Sequence, residues 1–195
     1  MKFTALSAGI WAARGLTLAR LLAAPLFALW LLRGGSLGPG FFAFYLFFPL
    51  SDLADGPLAR RSGGARPLWA RLDPLADIMF NAAALSAAAW TGRVGFWLPA
   101  AVLVLGGRFL WRGPEREAGA AGRAAGVLFY LMTGAVAAEA AFAGGAEWGG
   151  VLARAGDAVS LYAFMVLLAK LGAGRRRGRR TPGGGRRGRS TRSPA

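Results

Sequence analysis

The chain has 195 residues, of which 55% are apolar and only 17% charged, with a formal net charge of +15. That length suits one domain, and that composition is too apolar for a water-soluble one. There is no cysteine, which excludes disulfides and thiolate metal sites, and no histidine, which excludes imidazole triads, zinc proteases and histidine-dependent membrane phosphatases.

Met1 to Arg14 is short and amphipathic, and is expected to lie along a membrane interface. Six apolar runs follow, at residues 16–32, 41–60, 68–90, 94–111, 124–143 and 151–171. Each is close to the roughly 20 residues that cross a bilayer. A signal peptide is the alternative for the first run. Arg14 and Arg20 interrupt it, no good cleavage site follows and further spans do, so a retained helix is predicted. The turns Gly34-Gly35-Ser36-Leu37-Gly38-Pro39-Gly40 and Ser62-Gly63-Gly64 break helices between spans. Gly134, Ala137, Ala138 and Ala141 give the fifth span a small-residue face suited to close helix packing. Glu139 is expected to reach the outer interface, and Arg154 and Asp157, three apart on the last span, to pair with each other.

Arg175 to Arg192 contains nine arginines and no acid; without them the formal charge falls to +6. This tail has almost no apolar residue and no aromatic one, so it builds no core and fits anionic lipid headgroups better than nucleic acid. The expected fold is therefore all-α: a polytopic integral membrane bundle of about six transmembrane helices with a short N-terminal interfacial helix. Residues 1–172 form one membrane domain, and 173–195 a disordered basic cytoplasmic tail. With the N-terminus inside, Lys2, Arg14, Arg61, Arg66, Arg112, Arg116, Arg123 and the tail gather on the inner side, leaving Arg33 and Arg93 outside. The positive-inside rule then places both termini in the cytoplasm.

Four of the nine acids sit on the second and third runs. Asp52 and Asp55 are i,i+3 near the inner end of one helix, and Asp73 and Asp77 are i,i+4 near the start of the next, so each pair shares a face. At about 1.5 Å per residue, Asp55 and Asp73 lie roughly 9 Å above the turn, and Asp52 and Asp77 roughly 13–15 Å. Carboxylates within a span cost about 2.5–3.5 kcal/mol each, and four together require cations. An all-oxygen set suits Mg²⁺ or Mn²⁺, and two such ions would bind and polarise a diphosphate. A packing network of the acids with Arg60, Arg61 and Arg71 is the bland alternative. Arg108 and Arg123, flanking the next inner loop, are candidates for holding a phosphate on an acceptor, or are topological charges only.

The run Asp52-x2-Asp55-Gly56-x2-Ala59-Arg60-x8-Trp69-x3-Asp73-x3-Asp77 resembles the signature of the CDP-alcohol phosphotransferases at every defined position but one, where Trp69 replaces a glycine. Leu16-Thr17-Leu18-Ala19-Arg20, followed by Pro25, is similar to the phosphatidylglycerophosphate synthase branch, which usually carries asparagine where Arg14 stands. The resemblance implies transfer of a substituted phosphate from a CDP-linked lipid such as CDP-diacylglycerol to an alcohol, with release of CMP, in phospholipid biosynthesis. It implies no covalent enzyme intermediate. It also implies that Asp52, Asp55 and Asp73 ligate metal, that Asp77 is the general base beside the second ion, that Thr17, Gly56 and Ala59 lie at the CDP substrate, and that Arg60 steadies the Asp cluster or a phosphate there. Trp69, the departure, shares the face of Asp73 and Asp77 by its spacing of four and is expected at the mouth of the same CDP site. Glycerol 3-phosphate or inositol phosphate is the expected acceptor.

Two other functions fit less well. Intramembrane prenyltransferases also bind a diphosphate through Asp and Mg²⁺, but need a further aspartate where Ala59-Arg60 stand. A divalent-cation carrier needs carboxylates along a through-path, and these open to one side. The Ala/Gly/Arg bias points to a GC-rich bacterial genome, so the expected location is the bacterial cytoplasmic membrane with the active site facing inward. Expected partners are the CDP-lipid, a small alcohol and membrane lipids, with a homodimer allowed and no specific nucleic acid.

Overall fold

The structure, a computed structural model, describes residues 2–34, 37–61, 69–113, 119–142 and 146–178, with side chains described over 15–34, 37–51, 72–113, 119–142 and 148–172. Among the described residues every regular element is a helix. They are α1 (Lys2–Arg33), α2 (Pro39–Arg61), α3 (Trp69–Trp90), α4 (Trp97–Arg112), α5 (Ala120–Phe142) and α6 (Ala146–Gly178). The six apolar runs thus each become one helix, with ends displaced by a few residues except at the start of α1 and both ends of α6.

α1 departs from expectation in one respect. No separate interfacial helix precedes it, because the helix runs unbroken from Lys2 to Arg33. Met1–Arg14 contains no proline and no cluster of turn residues, so nothing stops the helical hydrogen bonding. Its length of about 48 Å still exceeds the hydrocarbon thickness, so one end must leave the apolar layer. At the other end of the chain, α6 is helical as far as Gly178. The remainder of the expected disordered tail lies outside the described residues, as does the side-chain detail of Asp52, Asp55, Gly56, Ala59, Arg60 and Trp69.

Among the described residues, three helices are long and apolar enough to cross a membrane: Gly15–Arg33, Ala120–Phe142 and Trp148–Gly172. α4 has only 16 residues, about 24 Å at the helical rise, and is short for a full span. Large apolar side chains cover the outside of the bundle, among them Leu22 (71% exposed), Trp111 (91%), Leu131 and Phe164. A water-soluble protein would bury these, whereas lipid tails solvate them. Exposed Trp90, Trp97 and Trp148 gather toward the end where α3 turns into α4 and α6 begins, as interfacial tryptophans do. The protein is an integral membrane protein.

Around the bundle the helices follow the order α1, α2, α5, α6, α4, α3, and α3 also touches α5 across the middle. α3 is the inner helix. Its face of Ala76, Ala84, Ala87 and Ala88 is buried, which lets α1 approach closely through Ala23 and Ala24. α2 meets α3 through rings rather than backbone: Phe48 and Tyr45 lie 5.2 and 6.5 Å from Phe80, and Phe27 of α1 stacks on Phe41 at 4.4 Å. Two glycines make room where side chains would collide. A Cβ on Gly106 would stand 2.7 Å from Ile78, and one on Gly134 would stand 2.9 Å from the Tyr45 ring. The small-residue face of α5 is therefore a packing face, and Tyr45 of α2 fills it.

The loop ends are tied down as well. Leu37 N–H donates to the Ala140 carbonyl at 2.9 Å, fixing the α1–α2 turn to α5. Arg93 Nε donates to Glu139 Oε2 at 2.8 Å, joining the α3–α4 turn to the same helix end. Arg154 and Asp157 do not form the expected pair. Asp157 lies against the turn before α4, its Oδ1 3.0 Å from where a Cβ on Gly95 would stand, while Arg154 is exposed. Close packing of Gly156 on Val94 and Leu98 points that face of α6 at the α3–α4 turn. Asp157 also borders an apolar groove of about 660 Å³ between α4 and α6, lined by Trp97, Ala101, Val104, Ser160 and Phe164. Among the described residues, neither Asp73 nor Asp77 lines it.

Candidate active site

The chemistry gathers where α1, α3 and α5 meet. Trp69 opens α3, so Asp73 is one turn in and Asp77 two turns, about 12 Å from that end. Residues 69, 73 and 77 share a face by their spacing of four. Asp73 is exposed and accepts a hydrogen bond at Oδ1 from the hydroxyl of Thr17, a buried residue of α1. Thr17, expected at the CDP substrate, thus stands directly beside a proposed metal ligand.

Asp77 is more enclosed. Its Oδ1 accepts from Arg20 Nη1 at 2.5 Å and from the Tyr130 hydroxyl at 2.7 Å. Thr17 and Arg20 are three apart, so one face of α1 serves both aspartates. Arg20 is 2% exposed although it carries a charge. A buried guanidinium is costly in a membrane, and the partly exposed Asp77 carboxylate, 31% exposed in its side chain, offsets that cost here.

The stripe continues one more turn. Asn81 Nδ2 donates to the Asp77 carbonyl at 2.9 Å, and Asn81 Oδ1 accepts from Thr133 Oγ1 at 2.7 Å. The backbone of Tyr130 is held in turn, since the Tyr45 hydroxyl donates to its carbonyl at 2.6 Å. Sequence reasoning did not assign Arg20, Tyr130, Asn81 or Thr133 to the site. Arg20 gave a signal as a charge inside an apolar run, and Asn81 as the next member of the 69, 73, 77 series. Tyr130 and Thr133 gave none without knowing that α5 packs on α3.

α2 is helical through Arg61, so Asp52 and Asp55 lie on consecutive turns of it, with Gly56, Ala59 and Arg60 following. Among the described residues no three acidic side chains form a cluster, and two of the four signature carboxylates lie outside that set. The donors present fit a hard divalent cation. They are carboxylate oxygens, and Asp73 is open to the outside one turn from Asp77. Arg108 donates to the Lys170 carbonyl at 3.4 Å, which turns it toward α6. Arg123 is exposed in the first turn of α5, seven residues before Tyr130 and so on the same helix face.

One carboxylate, held at a single oxygen by a buried arginine and a partly buried tyrosine, and a second, exposed one a helical turn away thus stand together where three helices meet. No curated protein and no solved structure matches the chain. The family model for CDP-alcohol phosphatidyltransferases matches residues 10–169, which covers all six apolar runs but the last two residues of the sixth, and the chain belongs to that family.

Proposed function

We propose that this enzyme transfers the phosphatidyl group of CDP-diacylglycerol to a phosphorylated alcohol, glycerol 3-phosphate first and an inositol phosphate second. The family transfers a phosphatidyl group from a CDP-alcohol to an acceptor and is generally metal-dependent. In this reading the acceptor oxygen bonds to the β-phosphorus, the bond from that phosphorus to the bridging oxygen breaks, and CMP leaves with the oxygen. Asp77 takes the proton of the attacking hydroxyl. Asp52, Asp55 and Asp73, with Asp77 beside them, would hold two Mg²⁺ or Mn²⁺ ions. When bound, these ions neutralise the diphosphate and the departing CMP.

The observation that carries this reading is the fixed Asp77 carboxylate, gripped at Oδ1 by residues of two other helices and placed one turn from the exposed Asp73. Arg123 supports a phosphorylated acceptor. It lies about 10.5 Å along α5 from Tyr130, on the same face. A phosphate held there could present a hydroxyl toward Asp77. Arg108, which bonds to α6, has weaker support for that role. The similarity of Leu16-Thr17-Leu18-Ala19-Arg20, followed by Pro25, to the phosphatidylglycerophosphate synthase branch favours glycerol 3-phosphate over other acceptors. The arginine distribution favours a cytoplasmic active site in a bacterial inner membrane.

The test is purified protein in lipid-detergent micelles with CDP-diacylglycerol, a panel of alcohols, and Mg²⁺, Mn²⁺ or a chelator. CMP release is expected only with metal, and fastest with glycerol 3-phosphate. No CMP release with any alcohol overturns the function, and preference for an uncharged alcohol overturns the acceptor class.

A further inference from the structure

We infer that Arg20 and Tyr130 are positioning residues for Asp77, and that Tyr130 also transmits the placement of α2 to it. The inference rests on the reading of Asp77 as the group that takes the acceptor's proton. Two donors from different helices end on one atom, Oδ1 of Asp77, at 2.5 and 2.7 Å. A single bond to a carboxylate oxygen leaves the group able to turn about its Cβ–Cγ bond. Bonds from α1 and from α5 to the same oxygen hold Oδ1 in place and so determine where Oδ2 stands.

The helix backbone beneath is held at the same time. Asn81 bonds to the Asp77 carbonyl and is itself bonded by Thr133 of α5. Tyr130 is not free to drift, because the Tyr45 hydroxyl of α2 donates to its carbonyl at 2.6 Å. The Tyr45 ring fits only because Gly134, one helical turn after Tyr130, has no Cβ to meet it. A chain of contacts therefore runs from Tyr45 on α2 through Tyr130 on α5 to Asp77 on α3, and Arg20 on α1 closes it. α2 is also the helix that carries Asp52 and Asp55. The contacts set the spacing between the proposed base and the helix bearing the other two signature carboxylates.

A residue that only braced the bundle would change stability and leave the chemical step alone. A positioning residue changes kcat at nearly constant KM, since the ground-state contacts of both substrates persist. The experiment uses the full chain in lipid-detergent micelles, with Tyr130→Phe, Arg20→Lys, Arg20→Gln, Asp77→Asn and the double variant Tyr130→Phe/Asp77→Asn. For Tyr130→Phe, kcat should fall roughly 10- to 100-fold, the scale of small misplacements at a reacting group. Both KM values should stay within about twofold, the signature of a lost transition-state interaction. Arg20→Lys should recover part of the kcat that Arg20→Gln loses. The thermal midpoints of Tyr130→Phe and Asp77→Asn should fail to add in the double variant, because the two groups are in contact.

Wild-type kcat in Tyr130→Phe, or a KM effect with kcat unchanged, overturns the inference, as does strict additivity of the midpoints. Equal kcat in the two Arg20 variants overturns its half. If Arg20→Gln does not fold, the Tyr130→Phe data decide alone. A wild-type protein that transfers no phosphatidyl group would sink the proposed function, while the thermal cycle still decides whether the Tyr130–Asp77 contact exists.

Discussion

Asp77 and Asp73 differ in setting although one helical turn separates them. Asp73 is exposed beside Thr17, while Asp77 is enclosed between Arg20 and Tyr130. Asp77→Asn keeps the volume and removes the basic oxygen. It should abolish CMP release while the protein still inserts and purifies as wild type, checked by activity and by gel filtration in detergent. Trp69→Gly restores the one residue that departs from the family signature. It is expected to shift the KM for the CDP-lipid, measured at saturating acceptor, and unchanged kinetics would place the indole away from the nucleotide. That Asp73 and Asp77 share a face was legible because i,i+4 spacing is a property of the helix itself, while the side chains of Asp52 and Asp55 lie outside the described residues. Arg20 was visible as a charge in an apolar run, yet its partner depended on which helix faces which. Tyr130 was not legible, because nothing within its own sequence neighbourhood marks a residue that reaches across to α3.

Contacts between helices depend on the sizes of single side chains. α3 approaches α4 at Gly106, where Ile78 fills the place a Cβ would take. Gly106→Ala should lower the thermal midpoint in detergent, at a cost of about 1–3 kcal/mol for overpacking. Because Ile78 follows Asp77, activity should fall with it. At the far end of α3, Arg93 and Glu139 are 16% and 13% exposed and join the turn to α5. Glu139→Gln should destabilise by about 1–3 kcal/mol, between the values for exposed and fully buried pairs. Kinetics should remain near wild type, since the pair is distant along α3 from Asp77. The six helices were legible from apolar run length, and their ends from glycine and proline except at the start of α1 and both ends of α6. The ring order and the central place of α3 were not, because apolar periodicity says which face is buried and nothing about its neighbour. The same gap explains Arg154 and Asp157, whose spacing suggested a pair while packing turned Asp157 toward Gly95.

On the scale of the whole molecule, the exposed apolar surface seats the protein in the membrane, and the arginine-rich end of the sequence is expected to add contacts to anionic headgroups. Leu22, Leu131, Phe164 and Trp111 face outward, and nine arginines follow Gly174. Truncation after Gly178 should leave turnover in detergent close to wild type, since no signature residue lies beyond it. Binding to vesicles rich in anionic lipid, measured by flotation at low salt, should weaken. A truncated chain that folds but does not turn over would give the tail a part in catalysis.

The unbroken course of α1 has a practical consequence. The helix that carries Thr17 and Arg20 begins at Lys2 with no hinge between, so the amino terminus is the handle of a lever whose working end is the active site. A bulky domain fused there pulls on the two residues that touch Asp73 and Asp77, whereas one fused to the carboxyl terminus follows α6, which carries none of the residues bonded to those two carboxylates among the described ones. An amino-terminal fusion with no spacer is therefore expected to depress kcat. A flexible linker of increasing length should restore it stepwise, and a carboxyl-terminal fusion should be indifferent to its linker.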